Sequence, residues 1–227
     1  LERVDLLLYP NARGNNADLP PAARRHPGGP LPAAAEELAG EEIPFHRIFT
    51  DYRLLMAPTE FSATAPLKMA AAEHPFRAAT MPGFSAAMIP ALRLDYDRIG
   101  ARVERMCGLL DRAGGCRLRF RTGTGEHRLH LDLRHRPGHA SGGIFREPGR
   151  AGNLPSGESY IVPYEGEIAG DESRSAGEIP VQFGEEVVVY RVERNRAVAV
   201  LGTGPAARAE AERLAAEPAY GNLAELG

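Results

Sequence analysis

"DYDRIGARVERMCGLLDRAGGCRLRFRTGTGEHRLHLDLR", residues 95–134, decides how this chain is divided. Its first half repeats with helical period. Ile99, Val103, Met106 and Leu110 fall on one apolar stripe, and Asp95 is well suited to cap the N-terminus. This spacing predicts a helix from Asp95 to about Ala113, stopped by Gly114-Gly115. The second half repeats with period two. "CRLRF" alternates, "TGTGE" turns, and "HRLHLDLR" alternates with Leu129, Leu131 and Leu133 on one face. That is a β-hairpin.

Toward the N-terminus, short strand and helix signals alternate. "VDLLLY" (4–9) reads as a strand ended by Pro10, and residues 20–44 read as loop with at most a short helix near Ala33–Leu38. "FHRIFT" (45–50) reads as a strand. Thr64 is placed to cap a helix through "APLKMAAAE", with Pro66 in its first turn. "FRAAT" (76–80) reads as another strand, and Ser85 as the cap of "AAMIPAL". Such alternation predicts a layered α/β arrangement.

Toward the C-terminus the pattern turns to hairpins: "ESYIVP", then "EEVVVYRV", the turn "ERN" and "RAVAVL", before a helix that starts at Pro205. The expected fold class is therefore α/β: an N-terminal α/β layered domain over 1–115, then an antiparallel α+β domain over 116–227. The Gly-, Pro- and Arg-rich stretch 134–157 is a connector within the second half or a second boundary.

Apolar residues make up 43% of the 227 and charged residues 25%, the balance of a globular chain with a real core. A net charge of −3 argues against nucleic-acid binding by the chain as a whole. The charge is uneven, with eleven arginines against five acids in 101–150, and eight acids against Arg174 alone in 151–190. No apolar run is long enough to span a bilayer, and the first residues lack the basic region and cleavage site of a secretory signal, so a cytoplasmic location is expected. Cys107 and Cys116 are too few for a disulfide framework, and Cys107 on the helix stripe is expected to be buried and reduced. The chain starts and stops in structured-looking sequence, so residues of the natural protein are expected beyond both ends.

Several groups could carry chemistry. His127, His130, His135 and His139 lie close in sequence, and His130 and Asp132 share a strand face, as a metal site needs. Arg128 and Arg134 flank them and would repel a cation, so a solvated hairpin face is the expectation. There is no nucleophile elbow, phosphate-binding loop or H-E-x-x-H helix. "GTGP" (202–205) precedes a helix N-terminus where an anion could sit, although a plain turn fits as well. Two glutamates follow Gly-Asn-Leu segments: Glu158 in "GNLPSGESYIVP" and Glu225 in "GNLAELG". Glu158, Tyr160 and Val162 share one strand face, with Ile161 opposite. A carboxylate among leucines is either exposed or, if buried, in need of a cation or an arginine.

"GNLPSGESYIVPYEG", "EVVVYRVERNRAVAVLGTGP" and "EAERLAAEPAYGNLAELG" together resemble the aminopeptidase T / aminopeptidase S family of metallopeptidases, nearest a leucyl aminopeptidase-like subgroup. The resemblance covers most of 64–227. It implies a two-metal aminopeptidase, cutting N-terminal residues from small peptides and working as a homodimer. Glu158 would be a metal ligand, and Glu225 a ligand or the base that deprotonates water. Two divalent ions, Zn, Co, Mn or Mg, would be bound. The family's remaining ligands, two His and an Asp, are expected beyond Gly227. A related branch holds iron-dependent dioxygenases that open dihydroxypyridine rings, and that is the alternative; a non-catalytic binding or assembly module is a further one.

Overall fold

Residues 3–123 and 125–227 are described by the structure, a computed structural model. In chain order they form β1 (Leu7–Leu8), β2 (Ala22–Arg25), β3 (Glu41–Pro44), α1 (Phe45–Asp51), β4 (Leu54–Ala57), α2 (Thr64–Glu73), β5 (Arg77–Thr80), α3 (Ile89–Leu92), α4 (Tyr96–Leu110), β6 (Gly115–Thr122), β7 (Gly125–Asp132), β8 (Gly138–Ser141), β9 (Arg150–Asn153), β10 (Glu158–Ile161), β11 (Ala176–Phe183), β12 (Glu186–Glu193), β13 (Arg196–Leu201) and α5 (Pro205–Ala216). Helices and sheets combine in an α/β fold with both parallel and antiparallel pairing. No described helix is long and apolar enough to cross a membrane.

The chain forms two compact units. One runs to Ala101 and takes in Ser141–Gly157; the other is Arg102–Ala140 with Glu158–Gly227. A single cut after residue 115 does not describe this division, because a later segment returns to complete the first unit. That segment supplies β9, whose residues pair in parallel with β5: Arg77 with Arg150 and Thr80 with Asn153. In the first unit the sheet order is β4-β5-β9, and α2 is the crossover that parallel neighbours β4 and β5 require. Leu67 and Ala71 of α2 pack with Phe76 and Ala78 in its core.

Local detail in this unit departs from the sequence in four places. "FHRIFT" is helical, since Phe45, Ile48 and Phe49 recur at i, i+3 and i+4 and all turn inward; Ile48 is fully buried. Residues 20–44 are not all loop, because β2 and β3 pair Ala23 with Ile43. Thr64 does not cap α2. The first amides of that helix are held instead by Ser62 Oγ, accepting from Thr64 at 3.3 Å, and Asn16 Oδ1, accepting from Ala65 at 3.0 Å. Ser85 likewise makes no capping bond; a short 3-10 turn, Ala86–Met88, precedes α3.

The second unit is built on an antiparallel sheet of order β13-β12-β11-β7-β6. The β6–β7 hairpin has the expected register, with Leu118 opposite Leu129 and Cys116 opposite Leu131. Leu129, Leu131 and Leu133 form the core with Ile161 and Val192, and Leu110 of α4 packs against them. Asp95 caps α4 as its position foretold, its carboxylate accepting from the Arg98 amide at 3.0 Å. Cys107 and Cys116 are free thiols, and Cys107 is buried.

Candidate functional site

Ile161 and Leu226 exchange both backbone hydrogen bonds at 2.9 Å, which adds the 221–227 segment to β10 as an antiparallel partner. Residues paired this way send their side chains to one face. Ile161 and Leu226 both turn into the core, and Ile161 is fully buried. Alternation then turns Glu158, Tyr160 and Glu225 to the other face. The convergence registers on Tyr160, whose phenol is pushed up first by burial, then by the Glu225 carboxylate and then by Glu158. His139 stacks on the Tyr160 ring, centroids 4.9 Å apart and planes 24° from parallel. The two glutamates, separated by most of the second unit in sequence, are thus gathered around one tyrosine. Both are exposed, and neither has a hydrogen bond or ion pair among the described residues.

The Glu225 segment is fixed by Asn195, which carries a left-handed φ of 65° in the β12–β13 turn, a conformation Asn tolerates better than most residues. Asn195 is fully buried. Its amide Nδ2 donates to the Leu223 carbonyl at 2.9 Å, while its own carbonyl accepts from the Leu223 amide at 3.1 Å. Next to it, Asn222 Nδ2 donates to Glu165 Oε1 at 3.0 Å. At Gly221 a Cβ would come within 2.6 Å of the Ala197 carbonyl oxygen, so only glycine fits without a shift. From the sequence the "ERN" turn was visible. Its partner was not, because the strap lies well downstream.

His130 and Asp132 do not form a solvated face. Asp132 is 1% exposed. Arg134 donates to it through Nε at 2.9 Å and Nη2 at 2.7 Å, and the Arg174 amide adds a bond at 3.0 Å. Burial alone would raise this carboxyl; Arg134 and the backbone amides outweigh it and hold it at about 2. The same guanidinium donates to Asp171 through Nη1 at 2.9 Å and lies over the Tyr164 ring. Arg134 therefore neutralises the acid that a metal would have used. His127 is spent differently, with Nδ1 2.7 Å from Glu178 Oε2.

The anion position before α5 is filled from within the chain. Glu186 accepts from the Ala206 and Ala207 amides at 2.9 and 3.0 Å, and at Gly204 a Cβ would lie 2.2 Å from Glu186 Oε1. A carboxylate there matches the positive end of the helix dipole and leaves no vacancy for phosphate.

The first unit has a cavity of about 460 Å³ where Met81 and Leu154 follow the carboxyl ends of β5 and β9. Such crevices are favoured ligand sites in α/β sheets. Tyr96, Phe145 and Met56 wall it, but Asp95 is the α4 cap and Asp97 pairs with Arg146. The charged side chains of its lining are thus already engaged, and the rest of its wall is largely apolar.

Glu158 and Glu225 supply two carboxylates and Tyr160 a phenol. Among the described residues, no group of three or more His, Cys, Asp or Glu comes together to hold a metal. The pair by itself does not close a divalent-ion site.

No protein-family model and no curated protein matches the chain. A solved structure does: a 2,5-dihydroxypyridine dioxygenase from Pseudomonas putida KT2440, at TM-score 0.54 and 19% identity, over 77% of this chain and 48% of that one. The chain thus spans about half the length of that structure. At this identity the likeness is one of fold. The scaffold it matches is a dioxygenase's, which points away from the hydrolase, aminopeptidase and metallopeptidase terms drawn from the sequence resemblance.

Proposed function

We propose that the chain belongs to a ring-cleaving dioxygenase acting on a hydroxylated nitrogen heteroaromatic of the 2,5-dihydroxypyridine type. The observation that carries this reading is the fold match to a dioxygenase. The face around Tyr160 is chemically suited to such a substrate. Hydroxypyridines present O–H and N–H donors on a flat ring. Glu158 and Glu225 offer exposed carboxylate acceptors with no competing partner among the described residues. The stacked Tyr160 and His139 rings offer an aromatic surface beside them. Charge-assisted bonds from ring hydroxyls to these carboxylates orient the ring and favour loss of a hydroxyl proton toward the glutamate that accepts it. Iron would supply the oxygen chemistry. Among the described residues no group of three or more His, Cys, Asp or Glu comes together to hold it.

The test uses the full-length protein loaded with Fe(II), following oxygen uptake and loss of 2,5-dihydroxypyridine. Turnover is expected, with no release of p-nitroaniline from leucyl-p-nitroanilide. Glu158→Gln and Glu225→Gln are each expected to lower kcat/KM by about 10-fold, the worth of one charge-assisted hydrogen bond. Ring turnover that both variants leave unchanged would remove the glutamates from the site. Absence of ring turnover with no iron retained would leave a binding or assembly module.

A further inference from the structure

The second unit holds a cavity of about 290 Å³ whose lining includes none of Glu158, Tyr160, Glu225 or His139. Its walls are Ile179 and Val181 from β11, Leu214 from α5, and Leu223 from the strap that carries Glu225. Its lining also holds a short polar chain. The Tyr190 hydroxyl donates to Glu210 Oε2 at 2.8 Å, and Arg213 Nη1 forms an ion pair with Glu210 Oε1 at 2.9 Å. We propose that this cavity binds a small monocarboxylate with a compact apolar body, the carboxylate on Arg213, and that its occupancy steadies the Glu225 strap.

The sign of the ligand follows from the order of the charges. Glu210 is the recessed member, its side chain 14% exposed, and both of its oxygens already have a partner. It is spoken for and cannot receive a cation without giving up a partner. Arg213 is the outer member, 63% exposed, and Glu210 is its one side-chain partner among the described residues. A guanidinium has five N–H donors, so it keeps a free edge of the fork shape that a carboxylate matches with two parallel bonds. The apolar walls behind it exclude a bare inorganic anion as the best ligand, because they contribute only when covered. A volume near 290 Å³ suits one ring or a short branched chain.

The coupling follows from Leu223. It lines the cavity, and both its amide and carbonyl are bonded to Asn195. Glu225 lies two residues on, immediately before the Leu226 that bridges to Ile161. Filling the cavity packs one anchor of the strap more tightly. The site itself does not rest on the dioxygenase reading; only an effect of its occupancy on turnover does.

Titration of the full chain with 3-phenylpropionate, followed by calorimetry and by amide NMR, tests the site. Binding is expected, with shifts at Leu223 and Leu214 and slower amide exchange across 222–226. The neutral amide 3-phenylpropanamide is expected to bind about 10-fold more weakly, and Arg213→Gln to weaken the acid to the same degree without changing the protein's circular dichroism. Val181→Phe, which fills the cavity with a side chain, is expected to block the acid. Equal binding of acid and amide, an unaltered affinity in Arg213→Gln, or no binding of the acid overturns the proposal.

Discussion

Asp132 and the Glu158–Glu225 pair are acidic groups of the same unit in opposite conditions. Asp132 lies at the end of β7, where the strand is covered on both sides, and every feature of its surroundings satisfies it: a guanidinium in fork contact and two backbone amides. Glu158 and Glu225 stand on the outer side of a strand pair whose inner side is Ile161 and Leu226, and nothing in the described chain satisfies them. A carboxylate that is buried must be paired inside the protein, whereas one that is exposed can be left for a ligand. In the sequence His130 and Asp132 share a strand face, and a solvated hairpin face is the expectation for them. The structure shows Asp132 as a structural ion pair and leaves Glu158 and Glu225 exposed, with no partner among the described residues.

The contrast is broken or sharpened most strongly at Asp132. Asp132→Ala leaves Arg134 with Asp171 and the Glu172 carbonyl and is expected to cost about 4 kcal/mol in urea unfolding; a loss below about 1 kcal/mol would mean the pair behaves as a surface one. The wild-type protein should show the same linkage in acid. A carboxyl held at about 2 against 3.8 in the unfolded chain contributes stability that is complete above 3.8 and is lost as pH falls through that interval. The inner side of the strand pair comes next. Ile161→Ala removes a fully buried side chain and is expected to cost about 3 kcal/mol, read in the same unfolding experiment.

Asn195→Ala is expected to cost about 2 kcal/mol, combining the loss of the Leu223 bond with a left-handed turn that alanine resists. It should also speed amide exchange at Leu223, whereas a purely local turn defect would leave that amide protected. The smallest effect on stability is expected at the glutamates themselves. Glu158→Gln and Glu225→Gln should each stay within about 0.5 kcal/mol of wild type. Each should nevertheless lower the Tyr160 pKa in a tyrosinate absorbance titration, because each removes a negative charge that raises it. A Tyr160 titration that ignores both substitutions would separate the two carboxylates and dissolve the proposed site.

Much of the second unit was legible along the chain. The stripe Ile99, Val103, Met106, Leu110 and the alternation of Leu129, Leu131 and Leu133 are local repeats, and each produced the element it predicted. The failures share a cause. In "FHRIFT" three apolar residues satisfy a helical spacing as readily as a short strand, and Pro44 with the neighbouring sheet decided for the helix. Residues 150–153, "RAGN", carry no strand period at all, yet they complete a parallel sheet because β5 offers them a free edge. Glu186 was read as part of a strand and not as the helix cap it also provides, since "GTGP" and Glu186 meet only after β12 and β13 have folded back.

The sequence by itself determined the α/β class, the long helix and its aspartate cap, the β6–β7 hairpin, and the outward turn of Glu158 relative to Ile161. Each of these follows from periodicity or end chemistry within a few residues. Tertiary structure alone decided that β9 leaves one half of the chain to finish the other, that Arg134 closes over Asp132, and that Glu158 and Glu225 come to one face on either side of Tyr160. Those outcomes depend on which distant segments pair, and pairing between strands is fixed by burial and backbone hydrogen bonding across the whole core, which no local repeat encodes.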